Sequence, residues 1–307
     1  MPELRSGSMR CEVTAGSNLL DALNGNGVAV PYSCRAGSCH ACLVKIQTGE
    51  PDDAKPDALS ADARAAGWRL ACQCRVAGDL CVEVFDPRSD GVAAVVRDAT
   101  WLSPAVLRLR LQPERPVRYQ AGQHMVLWTA NGVARPYSIA SLPQQDAELE
   151  FHLDCARPGA FADQARLLKA GDSLSLGERR GGALHYDPDW QERPLWLFAA
   201  GTGLAPLWGL VREALRQGHQ GAIRLVHIAR PPQEHYLRQA CEDLAAQHPN
   251  LTLECVEQLP AGLKLASRQT VALVCGSPAS VEAMGRALFM AGLPRGQLFA
   301  DAFLERV

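Results

Sequence analysis

The chain of 307 residues is long enough for two or three domains, and 47% hydrophobic with 21% charged residues is the composition of an ordinary globular protein. Its formal net charge of −2 excludes the basic footprint of a nucleic-acid-binding protein. The longest apolar stretch, 195–211, contains three glycines and a proline and is too short for a membrane span, so no membrane insertion is expected. The N-terminus lacks the apolar core of a secretory signal, which predicts a cytoplasmic protein without disulfides.

The cysteines are unevenly distributed, and six of the eleven lie between Cys34 and Cys81. Cys34, Cys39 and Cys42 are separated by four and then two residues, and Cys72 follows after 29 more. This C-x4-C-x2-C…C spacing is typical of plant-type [2Fe–2S] ligation. The glycine and small side chains within the run let the backbone curl around an anionic cluster, with N–H groups directed at the sulfurs.

Two other metal centres fit this cysteine pattern less well. Zinc would take two cysteines from the run and two from Cys72 and Cys74, but one residue is too short a spacing for a second zinc knuckle, and Cys34 would remain unused. A Rieske centre needs two histidines, and only His40 is near. His40 is therefore interpreted as an exposed loop residue.

Around these cysteines, and in the segment from Leu70 to Gln73, the sequence resembles the plant-type ferredoxin family over about residues 1–86. The resemblance favours Cys72 rather than Cys74 as the fourth ligand, with Cys34, Cys39 and Cys42 as the others. It implies a β-grasp [2Fe–2S] domain over 1–88, a small sheet with a helix packed on it. The helix is predicted over 18–24 with Ser17 as its N-cap, and strands are predicted over 43–47 and 80–85.

A polar segment rich in proline and glycine, 86–91, is typical of a linker and is followed by a change of pattern. Short strands separated by turn residues predict an antiparallel β-barrel domain over 91–190. The strands are expected over 92–97, 105–111, 123–129, 133–140, 147–153 and 173–176. A single helix is predicted over 161–169.

Within the predicted barrel, the run Arg135-Pro136-Tyr137-Ser138 resembles the flavin-binding motif of the ferredoxin–NAD(P)H reductase superfamily. The resemblance implies that Arg135 pairs with a flavin phosphate, that Tyr137 stacks on the isoalloxazine ring and that Ser138 hydrogen-bonds near N5. Pro136 would stiffen the turn that presents these side chains. An ordinary strand end is the alternative interpretation of this tetrapeptide.

A second flavin element of that superfamily, G-x-x-S, is only partly present. Gly159 corresponds to the glycine of that element, but Ala162 stands where the serine would be. Backbone N–H groups of the following helix are expected to bind the phosphate instead. The departure leaves FAD and FMN open, and resemblance to members with an N-terminal ferredoxin domain favours FAD over FMN.

From residue 193 to 307 strands and helices alternate, which predicts a doubly wound parallel sheet. Strands are expected over 195–199, 223–229, 251–256 and 271–275, and helices over 207–216, 236–247 and 278–290. The turn Gly201-Thr202-Gly203, with Pro206 beyond it, would admit a pyrophosphate at a helix N-terminus. The third glycine of the usual dinucleotide fingerprint is missing, but G-T-G-x-x-P resembles the reductase superfamily.

A further element of the superfamily is present as Cys275-Gly276-Ser277-Pro278. The resemblance implies that Cys275 lies near the nicotinamide C4 and that Gly276 permits close backbone approach; alternatively, Cys275 simply ends a buried strand. Phe303 is expected to shield the flavin ring or to belong to the core.

The residues after the second strand leave NADH and NADPH open. Arg230 would suit a 2′-phosphate and Glu234 a 2′-hydroxyl. Related reductases with this domain order favour NADH over NADPH.

The order iron–sulfur, flavin, nicotinamide resembles the NADH-dependent reductase component of bacterial multicomponent oxygenases. NADH gives two electrons as a hydride and the cluster takes one, so a flavin belongs between them. The expected partner is a terminal oxygenase or another electron-acceptor protein. A reductase of a separate ferredoxin, a diaphorase and a non-catalytic redox sensor are the alternatives.

Overall fold

The computed structural model describes residues 1–304, and they form three consecutive regions, each built around its own sheet. We call them the N-terminal region (1–88), the barrel (91–190) and the C-terminal region (193–304). The last three residues of the predicted 193–307 domain lie outside the described residues, and the domain boundaries stay a prediction. No helix within 1–304 combines the length and apolar character needed to cross a bilayer.

The N-terminal region is a mixed five-stranded sheet with order β2-β1-β7-β3-β5 and a helix packed on it, the β-grasp arrangement expected. Its elements are β1 (Glu3–Ser6), β2 (Met9–Glu12), α1 (Leu19–Gly25), β3 (Leu43–Thr48), β4 (Asp52–Asp53), α2 (Ala61–Ala65), β5 (Trp68–Leu70), β6 (Cys74–Arg75) and β7 (Leu80–Val84). Helix α1 buries three leucines against the sheet, Leu19, Leu20 and Leu23.

The N-cap of α1 is Asn18, so the prediction of Ser17 was wrong by one residue. The Asn18 side-chain oxygen accepts from the Asp21 N–H, while its amide donates 2.9 Å to the carbonyl of Cys72. An amide can do both, whereas a serine at residue 17 lies one position too early for this helix. The start of the helix is thereby tied to the segment that carries the fourth predicted ligand.

The barrel is a six-stranded antiparallel sheet with order β11-β10-β13-β8-β9-β12. Its elements are β8 (Val92–Trp101), β9 (Val106–Pro113), β10 (His124–Trp128), β11 (Ala134–Ser138), β12 (Leu149–Asp154), α3 (Ala160–Ala165) and β13 (Ser173–Arg180). A bridge between Ile139 and Phe151 joins the two ends of the sheet and closes it. The predicted strands are all present, and β13 runs four residues beyond its predicted end.

Helix α3 is shorter than the prediction of 161–169. It ends at Ala165, and the next residue, Arg166, turns its guanidinium back onto the carbonyls of Cys155 and Arg157. These long-range contacts stabilise the turn that ends the helix, and no local sequence pattern encodes them.

The C-terminal region is an all-parallel sheet with order β16-β15-β14-β17-β18, which confirms the doubly wound prediction. Its elements are β14 (Leu195–Ala200), α4 (Leu204–Arg216), β15 (Ile223–Ile228), α5 (Arg238–Gln247), β16 (Leu251–Val256), β17 (Val271–Gly276), α6 (Pro278–Met290) and β18 (Leu298–Ala302). Alternate residues of β14 enter different cores, so that Leu197 packs on one face and Phe198 on the other. The edge strand β18 was not predicted.

An apolar seam joins the N-terminal region to the barrel. Phe85, just after β7, stacks on Trp128 of β10 with ring centroids 5.4 Å apart, and Trp68 packs on the other side of Phe85 at 5.8 Å. Val126 and Ala134 of the barrel belong to the same buried cluster as the N-terminal core. The two regions therefore share one hydrophobic core across their boundary.

Polar contacts join the barrel to the C-terminal region. Arg212 of α4 donates two hydrogen bonds of 2.7 Å to the Asp146 carboxylate, a bidentate ion pair. Ser103 donates 2.6 Å to the carboxylate of Glu234. These directional bonds supplement a buried apolar cluster that also spans both regions, to which the barrel contributes Val106.

The apolar seam generates the first prediction. Trp128→Ala should lower the free energy of unfolding by about 3–5 kcal/mol, because it removes a large side chain that is only 5% exposed and leaves Phe85 without its stacking partner. Urea unfolding followed by circular dichroism measures the change. Trp101→Ala is the control, since Trp101 is 45% exposed in the same sheet and should change stability by less than about 0.5 kcal/mol. Equal losses in both variants would contradict the shared core.

Candidate functional site

Three of the four predicted cluster ligands lie in a tight loop, which we call the cysteine loop (residues 34–42). The N–H groups of Ala36 and Cys39 both donate to the sulfur of Cys34 at 3.3 Å, and the Cys34 N–H points at the sulfur of Cys39 at 3.5 Å. Gly37, at φ +81°, allows the sharp curl, as expected. Backbone N–H groups directed at sulfur stabilise thiolates, which is what iron requires as ligands.

The four predicted ligands meet in two pairs. Contact with Cys39 lowers the pKa of the Cys34 thiol to about 4, and contact with Cys42 lowers the pKa of Cys72 to about 7. The side-chain amide of Gln73 also donates 3.2 Å to the Cys72 sulfur. Within each pair one sulfur is thus favoured as thiolate, and the pKa of its partner is raised.

This arrangement fits a binuclear cluster. Within residues 1–304, no group of three metal-ligating side chains surrounds a single point, as a mononuclear ion would require. A [2Fe–2S] cluster needs four thiolates shared between its two irons, which two neighbouring pairs of cysteines can supply. Cys74, the alternative fourth ligand, is fully buried and belongs to neither pair.

His40 is not an exposed loop residue, and that prediction was wrong. It is only 2% exposed and adopts φ +56°, a left-handed conformation that costs roughly 1–2 kcal/mol for a residue with a Cβ. Its Nδ1 donates 2.9 Å to the carboxylate of Glu178 on β13. The strand extension that carries Glu178 was not predicted, so the sequence offered no partner for this histidine.

The flavin motif lies on β11, at one end of the barrel sheet. Tyr137 packs its ring against Phe161 of α3 with centroids 5.1 Å apart, and burial raises its pKa. The Arg135 guanidinium donates 2.7 Å to the neighbouring carbonyl of Ala134, and Ser138 is buried at the end of the strand. Pro136 lies between them within the same strand.

The expected phosphate site at the start of α3 is already in use by the protein. Gly159 is the N-cap of this six-residue helix, and its N–H donates 3.2 Å to the carboxylate of Asp163. A phosphate would have to compete with that carboxylate for the helix N-terminus. Ala162, which replaces the usual serine, offers no hydroxyl.

The two glycines of the nucleotide turn have different physical roles. Gly201 adopts φ +54°, and the direction in which a Cβ would project is open space. A Cβ on Gly203 would lie 2.2 Å from the carbonyl oxygen of Cys275, so this glycine is required by packing between β14 and β17. Thr202 lies between them, and Pro206 is buried in the first turn of α4.

A buried histidine forms a hydrogen bond to this turn. His227 of β15 donates 3.1 Å from Nε2 to the carbonyl of Gly201. Burial lowers its pKa to about 4, so the ring is neutral at pH 7. Its neighbours are the rings of His235 and Tyr236. No sequence pattern singles out His227, because it has no ligand spacing.

The second nucleotide motif ends β17 and begins α6. Gly276 is held close to Ala200, where a Cβ would lie 2.8 Å from the Ala200 side chain. Ser277 is the N-cap of α6, and Pro278 occupies the first helical turn, which needs no N–H donor. Cys275 is fully buried, which agrees with the simpler alternative that it ends a core strand.

The C-terminal segment passes directly beside this motif. Phe303 is half-buried, and its N–H donates 2.8 Å to the carbonyl of Gly276. Glu234, expected near the nucleotide 2′ position, is already bound to Ser103, so the preference for NADH over NADPH stays a prediction.

The three motifs converge on His124 and Asp301, which sequence reasoning missed. His124 is the cross-strand partner of Ser138 and lies against the backbone of Ser38 in the cysteine loop. Asp301 is paired in register with Cys275 and faces His124. Burial lowers the pKa of His124 and raises that of Asp301. No local pattern marks either residue, since the strands that carry them meet only in the tertiary structure.

Comparison with known proteins agrees with this geometry. Residues 4–77 match the 2Fe-2S iron-sulfur cluster binding domain, and residues 197–267 match the oxidoreductase NAD-binding domain. The chain is 32% identical, over 94% of both chains, to the ferredoxin–NAD(P)(+) reductase component of the naphthalene 1,2-dioxygenase system of Pseudomonas putida. This chain belongs to the family of NAD(P)H-dependent reductase components of oxygenase systems.

Other relatives of this reductase serve a different kind of system. The present chain is 31% identical to the reductase subunit of an aromatic O-demethylase of Amycolatopsis, over 90% of this chain and 91% of that one. It matches the crystal structure of the Amycolatopsis cytochrome P450 reductase GcoB with a TM-score of 0.65, 28% identity and 99% of both chains covered. The predicted family, fold and cofactor set of a [2Fe–2S] cluster, FAD and NAD(P)H are confirmed.

The cysteine pairs predict which residue is the fourth ligand. Cys72→Ser should lose bound iron and acid-labile sulfide, because it breaks the Cys42–Cys72 pair. Cys74→Ser is the matched control, a buried cysteine two residues away that should keep wild-type iron and sulfide. Iron analysis and the visible spectrum of the purified variants measure both. Loss of the cluster in Cys74→Ser alone would assign the ligand to the other cysteine.

The two glycines of the nucleotide turn predict different phenotypes. Gly203→Ala should lower the free energy of unfolding by about 3 kcal/mol, since its Cβ meets the rigid backbone of Cys275. Gly201→Ala should cost only about 1–2 kcal/mol of backbone strain but should weaken NADH binding. Urea unfolding and NADH titration of both variants distinguish the roles. Equal stabilities with equal NADH affinities would contradict this assignment.

Proposed function

We propose that this reductase takes electrons from NADH and passes them through FAD and a [2Fe–2S] cluster to a separate oxygenase component. The observation that carries the proposal is the convergence of the three motifs on His124 and Asp301. Bound FAD would accept two electrons as a hydride and release them singly, which a one-electron cluster requires. Sites for all three groups at one junction provide the short path that such a relay needs.

In this proposal the protein binds and orients, and no side chain acts as a general acid or base. Cys34, Cys39, Cys42 and Cys72 would hold the cluster. Arg135, Pro136, Tyr137, Ser138 and Gly159 would hold the flavin. The nicotinamide nucleotide would lie on Gly201, Thr202, Gly203, Pro206, Gly276, Ser277 and Pro278, with Cys275 and Phe303 beside the hydride path. The corresponding domains are 1–88, 91–190 and 193–307.

The oxygenase partner is inferred from the relatives, which serve a dioxygenase system and an O-demethylase. The organic substrate is set by that partner, since the proposed reductase passes on only electrons. The proposed location is the cytoplasm, which suits cysteines that are all free thiols in the described residues. Neither nucleic acid nor membrane insertion has a part in it.

A separate ferredoxin is the second candidate acceptor. The Pseudomonas relative is a ferredoxin–NAD(P)(+) reductase component, which favours this acceptor. In that case the cluster would reduce a ferredoxin, which would in turn serve the oxygenase.

The relay is tested by separating its two halves. Cys39→Ser should keep NADH-dependent dichloroindophenol reduction, which needs only flavin, and should lose most cytochrome c reduction, which needs the cluster. The purified wild-type protein should carry both iron and flavin, and it should prefer NADH to NADPH. Absence of dye reduction in flavin-loaded protein would favour a redox sensor instead. Equal loss of both activities in Cys39→Ser would contradict a relay.

A further inference from the structure

We propose that the bond between His40 and Glu178 is a docking latch that holds the cysteine loop against the barrel in the geometry for electron transfer from flavin to cluster. The inference rests on the proposed function. It assigns a positioning role to two residues that are neither cluster ligands nor members of the flavin or nucleotide motifs. The latch joins residues 138 positions apart in the sequence.

The backbone of His40 indicates that its side chain is used for this contact. Its φ of +56° is a conformation that glycine adopts without strain and other residues adopt rarely. The imidazole is nevertheless kept, and it is buried with Nδ1 at 2.9 Å from the Glu178 carboxylate. Among residues 1–304 its other nitrogen, Nε2, has no polar partner, so the hydrogen bond that this ring makes there is the one from Nδ1 to Glu178.

The latch acts on the cysteine loop itself. His40 lies between Cys39 and Cys42, one from each thiol pair, so a displacement of residue 40 moves both halves of the proposed cluster site. Glu178 extends from β13, which pairs with β10, and β10 in turn pairs with the flavin strand β11. The contact thus connects the cysteine loop to the flavin motif through a continuous hydrogen-bonded sheet.

The barrel also meets the loop through His124, which lies against the backbone of Ser38, and the remaining contacts across this boundary lie outside the loop. Arg180 donates to the carbonyl of Ala58, and Val126 and Ala134 of the barrel pack into the core cluster of the N-terminal region. With the Phe85–Trp128 stack these contacts keep the two regions together. Loss of the latch should therefore loosen the cysteine loop without separating the regions.

The electron balance defines what the latch affects. NADH supplies two electrons and a proton on becoming NAD⁺, and each reduction of the oxidised cluster takes one electron from reduced flavin. One NADH therefore supports two successive one-electron reductions of the acceptor. The latch bond holds the cysteine loop rather than the nucleotide motifs, so it should influence the flavin-to-cluster step and leave hydride transfer unchanged.

The test uses the full-length holoprotein and compares Glu178→Ala with Glu178→Gln. In anaerobic stopped-flow measurements with NADH, Glu178→Ala should slow cluster reduction about tenfold. A hydrogen bond to a charged group favours the arrangement that contains it by roughly that factor. Flavin reduction should keep its wild-type rate. Glu178→Gln retains an acceptor for His40 and should restore most of the rate. Glu114→Ala, which removes an exposed glutamate from the same barrel, is the control.

A second readout does not depend on activity. Hydrogen exchange of amides 38–41 should be faster in Glu178→Ala than in wild type, with iron and sulfide contents unchanged. His40→Gly relieves the positive φ while it removes the imidazole, so it should reproduce both effects and add little to Glu178→Ala in the double variant.

Three results would overturn the latch. They are an unchanged rate of cluster reduction in Glu178→Ala, equal slowing of flavin and cluster reduction, and additive effects in the double variant. These outcomes are distinct from failure of the proposed function. A wild-type protein without flavin or iron would remove the relay itself, whereas a working relay that is insensitive to Glu178 would remove only the latch.

Discussion

The structure depends on the burial of one boundary, between the cysteine loop with its supporting sheet and the outer face of the barrel. Phe85 and Trp128 fill that boundary with apolar surface, and the buried ring of His40 is bonded across it to Glu178. An apolar seam supplies free energy but little direction, whereas a buried hydrogen bond penalises any arrangement that breaks it. The seam holds the regions together, and the bond fixes how the loop lies.

The opposite side of the barrel is built differently. The C-terminal region meets it through the Arg212–Asp146 pair, the bond from Ser103 to Glu234 and the edge contact of Tyr236 with His152. Glu150 lies beside His152. Burial alone would raise the pKa of the Glu150 carboxyl, but hydrogen bonds from His152 and Arg110 outweigh burial and lower this pKa to about 2. Charged groups are tolerated there because each has a partner. Both interfaces therefore contain a shared apolar cluster, ion pairs are added at the second, and a proposed electron path crosses both.

The cofactor motifs meet where these interfaces meet. Strand β18 brings Asp301 beside Cys275, β10 brings His124 beside Ser138, and His124 lies against both Asp301 and the cysteine loop. Neither His124 nor Asp301 was chosen from the sequence, because a histidine without ligand spacing and an aspartate in a weak strand are common in any chain. Their significance comes only from the partners that distant strands provide.

The sequence by itself determined the fold class, the family, the order of the three motifs and the cysteines expected to bind the cluster. Ligand spacing, glycine turns and strand periodicity are local properties of the chain, so they can be recognised without the structure. It also located most strands and helices correctly, and it placed the cap of α1 within one residue. Only the tertiary structure decided that His40 is buried, that α3 stops at Ala165, that Glu234 is engaged by Ser103, and that Gly203 is a packing residue. Each of these depends on a contact with a residue far away in the chain, and such contacts exist only after the sheets have packed.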